Sequence, residues 1–374
     1  MGILNKLFGN GVSAELQSAI ETQLKNTQDP TSQQDLLALK ALKSVQLKKG
    51  VLTLNLAMPY PCKSLWPAIE QNLSHNLNQI KEIGTLKINW STEIVAHDSQ
   101  KGTNPLPGIK NIIAVASGKG GVGKSTTSVN LALALQQEGA SVGILDADIY
   151  GPSIPTMLNI KGRPESSDGK TMQPLQAYGL QVMSIGVLIE EDSPMIWRGP
   201  IVTQTLTQLL RETQWHDLDY LVIDLPPGTG DVQLTLSQQI PVTGSVIVTT
   251  PQQISLIDAK KGLKMFEKVS IPILGIIENM STHICTNCGH EEDIFGEHGG
   301  QELAKTYNIG FLGSIPLDKR IREEADSGKP TVTADPNSEI ANRYRDIAHK
   351  ISAKIRVKKR NYANLFPKIE IQNN

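Results

Sequence analysis

The hydrophobic pattern of this chain changes period along its length, and the changes divide it into regions. Ser13 is placed to cap a helix that turns Leu16, Ile20 and Leu24 inward. Ser32 and Asp35 have capping-box spacing ahead of Leu36, Leu39 and Leu42, which predicts a second helix. Residues 51–58 then alternate, with Leu52, Leu54, Leu56 and Met58 on one face, as a half-buried strand does. Helical spacing returns over 64–80 through Leu65, Ile69, Leu73, Leu77 and Ile80. Alternation returns over 85–92 through Leu86, Ile88 and Trp90. These elements predict one small α/β (α+β) domain over 1–98. The polar stretch 97–109 holds Gly102, Pro105, Pro107 and Gly108, and predicts a linker over 99–109.

Beyond that point continuous apolar runs alternate with helical stretches. Runs at 111–117, 141–148, 180–189, 220–225, 245–250, 271–277 and 309–315 read as buried strands. The expected fold over 110–355 is α/β, a mostly parallel sheet with helices on both faces, followed by a polar tail at 356–374. Such sheets bind ligands beyond the carboxyl ends of their strands, where Asp146, Asp148, Asp224 and Asn279 fall.

The first of these strands runs into Gly118-Lys119-Gly120-Gly121-Val122-Gly123-Lys124-Ser125-Thr126, and then into a helix over 127–138 carrying Val129, Leu131, Ala132 and Leu135. Strand, glycine loop and helix form the setting of a nucleotide-triphosphate phosphate loop. Glycines let backbone N–H groups curl around phosphate oxygens, and the helix N-terminus adds partial positive charge. Lys124 would reach the β/γ-phosphates of ATP and the Ser125 hydroxyl would ligate Mg²⁺. The window also spells G-x-G-x-x-G, the dinucleotide fingerprint. Lys124-Ser125 directly after the last glycine favours the triphosphate reading. Lys119 is a second lysine in the loop, in excess of what one loop needs. Asp224 closes an apolar strand ahead of Pro226-Pro227-Gly228-Thr229-Gly230 and is placed to hold Mg²⁺ or its water. Asp148 is suited to orient an attacking water, and Asp146 to a metal-shell or structural role.

Composition narrows the class. In 374 residues, 36 Lys and Arg face 37 Asp and Glu, so no electrostatic pull toward nucleic acid is expected. Three cysteines argue against a disulfide-built secreted protein. No apolar run approaches the roughly 20 residues of a membrane span, and the apolar residues of 1–10, Ile3, Leu4, Leu7 and Phe8, are too few for a stable anchor. A cytoplasmic protein is expected. Cys62, in Pro59-Tyr60-Pro61-Cys62, reads as a small buried hydrophobe. Cys285-Thr286-Asn287-Cys288-Gly289-His290 reads as a site, because Gly289 permits the turn that lets two thiolates converge. Two thiolates do not complete a tetrahedral metal. His283, His290 or His298 could complete zinc within the chain, the pair could be a redox dithiol, or two chains could each lend a pair to an iron–sulfur cluster.

Taken together, the segment 110–350 resembles the Mrp/ApbC iron–sulfur cluster carrier ATPases, relatives of the MinD/ParA P-loop ATPases. The resemblance rests on 117–126, 146–152, Trp197-Arg198-Gly199-Pro200, 220–231, 248–252, 277–281 and 285–290. Residues 1–98 resemble, more loosely, the small domain of iron–sulfur assembly factors, through Asp29-Pro30, the 52–58 strand and Cys62, although the surroundings of Cys62 depart from that pattern. The resemblance implies a homodimer. In it Lys119 reaches the partner's nucleotide, Asp148 is the switch carboxylate, Asp224 sits in the Mg²⁺ shell and Asn279 reads adenine. Cys285 and Cys288 bridge a [4Fe–4S] cluster between chains. Apo iron–sulfur proteins and cluster scaffold proteins are the implied partners. A positioning ATPase of the MinD/ParA kind and a zinc-stabilised nucleotide-binding regulator are the competing readings.

Overall fold

The computed structural model describes residues 7–9, 12–100, 103–188, 199–285 and 287–361. The chain forms two compact units, residues 1–95 with 137–140, and residues 96–136 with 141–374. The first holds α1 (Ala14–Asn26), β1 (Leu42–Lys48), β2 (Val51–Met58), α2 (Trp66–Leu77) and β3 (Thr85–Thr92). Ser13 Oγ accepts from Leu16 N at 3.1 Å, and Leu16, Ile20 and Leu24 are buried as their spacing predicts. The sheet runs β1-β2-β3, with β1 antiparallel and β3 parallel to β2. Between β1 and β2, Lys49 (φ 50°) and Gly50 (φ 77°) both take positive φ, the requirement of a two-residue type I′ hairpin. A single chain crossing through α2 makes the parallel pair possible.

The helix predicted from Ser32 and Asp35 does not form. Leu36, Leu39 and Leu42 are buried as expected, but from turns and a strand start. Ser32 donates from both N and Oγ to Asp29 Oδ2, and Asp35 Oδ1 accepts from Leu37 N (3.0 Å) and Ala38 N (2.8 Å). These local bonds compete with helix, and Lys40 at φ 56° turns the chain into β1. Asp29 is fully buried and also accepts from Tyr60 Oη at 2.5 Å. Tyr60→Phe leaves that acceptor one donor short inside the core. It is expected to cost about 1–3 kcal/mol, read as a fall in the urea midpoint with no change in slope. Cys62 is wholly buried, and burial pushes its thiol far above the ordinary range, so it behaves as a small hydrophobe.

The second unit is built on an eight-stranded sheet. Its strands are β4 (Ile109–Ser117), β5 (Val142–Asp146), β6 (Leu175–Ala177), β7 (Leu180–Ser184), β8 (Leu218–Asp224), β9 (Gly244–Thr249), β10 (Ile273–Asn279) and β13 (Phe311–Ile315), while β11 (His283–Ile284) and β12 (Glu291–Glu292) form a separate hairpin. Its helices are α3 (Lys124–Gln137), α4 (Ile154–Met157), α5 (Gly199–Glu212), α6 (Asp231–Gln239), α7 (Gln253–Lys268), α8 (Gly299–Thr306), α9 (Lys319–Asp326), α10 (Thr331–Ala334) and α11 (Glu339–Arg356). Strand order is β13-β10-β9-β4-β8-β5-β7-β6, parallel throughout except for the β6–β7 edge hairpin. Ile112, Ala114, Leu221, Ile223, Ile247 and Ile276 lie in one core, which explains why these strands read as unbroken apolar runs.

Three sequence expectations change. The 180–189 strand stops at Ser184, whose Oγ accepts from Gly186 N and opens a 3₁₀ turn. The helix after the glycine loop starts at Lys124 and is buried on all sides from Thr127 to Leu135, so it carries no single apolar face. Within the 97–109 stretch, the described residues His97 and Gln100 are tied into the second unit. His97 N and Nδ1 meet Asn111 Oδ1, and Gln100 Nε2 donates to Val269 O. Among the described residues no helix is long and apolar enough to cross a membrane. Residues 1–6, the Trp197-Arg198 pair and residues 362–374 lie outside the described residues.

Candidate functional site

β4 occupies the middle of the sheet, between β8 and β9, and delivers the glycine loop to the carboxyl edge. Ser117 Oγ turns back to Lys119 O at 2.8 Å. Gly121 (φ 80°) and Gly123 (φ 78°) take backbone angles that other residues avoid. Gly118 has a different reason. A Cβ there would fall 2.2 Å from the carbonyl carbon of Asp258 in α7, so loop and helix pass backbone to backbone. Gly118→Ala would push the loop off α7, and overpacking of this kind costs about 1–3 kcal/mol. A roughly five- to hundredfold loss of nucleotide affinity is expected, measured by titration of a fluorescent ATP analogue.

Lys124, the first residue of α3, is 5% exposed. Its ammonium lies 2.8 Å from Asp224 Oδ2, 3.6 Å from Asp148 Oδ2 and 3.3 Å from Ser125 Oγ. Ser125 Oγ donates to Asp224 Oδ2 at 2.6 Å. The sheet register puts Asp224 beside Asp146 and Val115, which brings the β8 carboxylate under the loop. Four residues chosen from sequence, Lys124, Ser125, Asp148 and Asp224, thus converge on one point. Lys119 is half-buried at the rim. Among the described residues its ammonium has no ion-pair or hydrogen-bond partner. The Ser125 hydroxyl and the Asp224 carboxylate are hard oxygen donors of the kind that suits Mg²⁺.

Asp146 is fully buried, and its carboxyl is raised, first by that burial and then by Asp224. Its Oδ1 accepts from Asp148 N (3.2 Å), and its Oδ2 from Ile154 N (3.3 Å) and Ser184 Oγ (3.1 Å), so it holds the loop that carries Asp148. Burial likewise raises Asp148, with the Lys124 ammonium opposing it. Asn279, at the end of β10 and buried, donates from Nδ2 to Val122 O at 2.9 Å. A Cβ at Gly123 would meet that same amide at 2.1 Å. Asn279 therefore stitches the glycine loop to β10. Sequence reasoning missed Ser128, whose Oγ lies 2.7 Å from Asp224 Oδ1. The available signal was its position four residues after Lys124, on the same helix face.

Cys285 follows Asn279 by six positions. The β11–β12 hairpin presents the two cysteines, with Cys285 N donating to His290 O (2.9 Å) and Gly289 N to Cys285 O (2.8 Å). Gly289 takes φ 74° to close the turn. Cys285 is partly buried and Cys288 is exposed. The backbone N–H of Cys288, then that of Asn287, lowers the Cys285 thiol below its ordinary value. Among the described residues no group of three or more His, Cys, Asp and Glu could hold a metal ion, so the zinc completion by His283, His290 or His298 is not assembled within one chain. His283 Nδ1 instead meets Leu317 O at 3.1 Å.

Central strand, glycine loop, buried lysine and strand-end aspartate define this unit as a P-loop nucleoside-triphosphatase domain. The chain belongs to the NUBPL iron-transfer P-loop NTPase family, whose model matches residues 108–352, and residues 17–90 match the iron–sulfur cluster assembly protein model. It is 52% identical over 343 residues to the iron–sulfur cluster carrier protein of Salmonella typhimurium, covering 91% of this chain and 92% of that one. It is 50% identical over 267 residues to the mouse iron–sulfur cluster transfer protein NUBPL, covering 71% and 83%. Among solved structures, a nucleotide-binding protein from Archaeoglobus fulgidus, determined in complex with ADP, is 40% identical with a TM-score of 0.52, covering 59% of this chain and 88% of that one.

Proposed function

We propose that this protein carries a labile [4Fe–4S] cluster between two copies of itself and hands it to apoproteins, with ATP as the switch. The observation that carries the reading is the pairing of two incomplete sites in one folded unit. A phosphate loop stands ready for a triphosphate, and a two-thiol hairpin begins a few residues beyond the strand that holds that loop. Two thiolates per chain become the four a cluster needs when two chains meet. The names borne by relatives over nine-tenths of the chain support the cargo.

In this reading backbone N–H groups from Gly118 to Thr126 receive the phosphates. Lys124 leaves Asp224 for the β/γ-phosphates, which frees the Asp224 and Ser125 oxygens to hold Mg²⁺. Bound there, the ion would neutralise phosphate charge. Asp148, held by Asp146, orients water toward the γ-phosphate and accepts its proton late. Lys119 extends to the nucleotide of the second copy. Asn279 keeps its Oδ1 available for the adenine amino group while its Nδ2 holds the loop. Turnover is slow until a client or scaffold protein engages, as in other P-loop switches awaiting an activator. The setting is the cytoplasm.

The test is anaerobic reconstitution followed by transfer to an apoprotein with and without ATP. ATP-dependent transfer is the expected result. Transfer at equal rate and yield without nucleotide would overturn the switch.

A further inference from the structure

Asp224 has two carboxylate oxygens in different surroundings. Oδ2 faces the pocket, meeting Ser125 Oγ at 2.6 Å and the Lys124 ammonium at 2.8 Å. Oδ1 faces away from it and meets Ser128 Oγ at 2.7 Å. Ser128 is fully buried and sits one turn along the helix that the glycine loop opens. A hydroxyl has one proton, and two acceptors lie within reach of this one: Asp224 Oδ1, and Lys124 O at 3.0 Å. If the proton went to Lys124 O, two oxygen lone pairs would face each other at 2.7 Å with no water to separate them. The shorter contact to a carboxylate is therefore the donated one, and it is charge-assisted.

We infer that Ser128 is a positioning residue that sets the metal-facing oxygen of Asp224. The inference rests on the nucleotide-site reading proposed above. A carboxylate at the end of a strand can rotate about its last torsion, and Ser128 removes that freedom by holding Oδ1. It does so from α3, the element that also carries Ser125. Both oxygens proposed for Mg²⁺, Ser125 Oγ and Asp224 Oδ2, are thus referenced to one helix. The strand supplies the charge and the helix supplies its orientation. Ser128 touches neither nucleotide nor metal. Its role predicts a specific pattern: weaker response to Mg²⁺, with unchanged affinity for nucleotide when Mg²⁺ is absent.

The experiment is titration of a fluorescent ATP analogue into full-length Ser128→Ala and Ser128→Cys, in EDTA and across a Mg²⁺ series. Cysteine keeps the shape of the side chain while offering only a weak donor, which covers the case of alanine destabilising the helix. Both variants are expected to bind nucleotide as wild type in EDTA. Both should need about tenfold more Mg²⁺ for half-maximal enhancement, the worth of one charge-assisted hydrogen bond. Wild-type Mg²⁺ response in both variants would overturn the inference. So would equal losses with and without Mg²⁺, the mark of a packing role. Asp224→Asn run alongside separates the two levels. Loss of its Mg²⁺ response with normal response in the Ser128 variants sinks only the Ser128 role, whereas wild-type response in Asp224→Asn sinks the nucleotide-site reading itself.

Discussion

Lys124→Ala is expected to stop cluster delivery while leaving a loaded cluster in place. Lys124 is the ammonium that pairs with Asp224 at the base of the loop, and it is nearly inaccessible to water. Removing one member of a buried charge pair costs the empty protein about 3–5 kcal/mol of stability. The nucleotide loses the lysine proposed to meet its β/γ-phosphates, a charged contact worth about 1.5–3 kcal/mol, so its affinity should fall roughly ten- to hundredfold. The thiols lie on a separate hairpin and keep their geometry. The empty protein changes too. Asp224 and its strand neighbour Asp146 become two buried carboxylates without their cation. Asp146 is already raised by burial and by Asp224, with Lys124 opposing that rise. A group raised in the fold contributes stability that is complete below its unfolded value and lost as pH climbs through its folded value. Without Lys124 the folded value rises further, so the variant's stability deficit should be larger at pH 8 than at pH 5. Urea unfolding at the two pH values reads this directly. Delivery by Lys124→Ala equal to wild type in a transfer assay would remove the case for a nucleotide switch.

Cys285→Ala and Cys288→Ala are expected to lose stable cluster while keeping fold and nucleotide binding. The hairpin is held by backbone atoms, Cys285 N to His290 O and Gly289 N to Cys285 O, and alanine retains both. Neither thiol is packed in the core, so little burial is forfeited. Chemically, one thiolate per chain leaves two where four are needed. The loss should therefore be near complete for either single substitution rather than half. Iron, sulfide and visible absorbance after anaerobic reconstitution measure it, with the melting temperature as control. Wild-type values in Cys285→Ala would make the ligand assignment wrong.

Much of this site can be read from sequence because its parts are local. The glycine loop needs positive φ at Gly121 and Gly123, and a strand and helix on either side, all within one short segment. Asp224 stands out because a buried parallel strand leaves few polar residues, and a carboxylate at its end is conspicuous. What escaped depends on partners distant in sequence or on local competition. Ser128 looks like any helix serine until β8 brings Asp224 against it from nearly a hundred residues away. Asn279 reads as a strand-end residue, and only the fold reveals its bond to Val122 O. Leu36, Leu39 and Leu42 share a spacing common to helices and to tight turns, and the side chains of Asp29 and Asp35 decide for turns. The helix after the loop sits so deep that its amphipathic period vanishes, because every face is buried.

The proposed sharing of one cluster through Cys285 and Cys288 fixes a stoichiometry of two chains to one cluster. Native mass spectrometry of the anaerobically reconstituted protein tests it most directly. Two chains carrying a single four-iron, four-sulfide cluster are expected, with the cluster and the paired state lost together in Cys288→Ala. A loaded single chain, or a pair in which each chain holds its own metal, would contradict it.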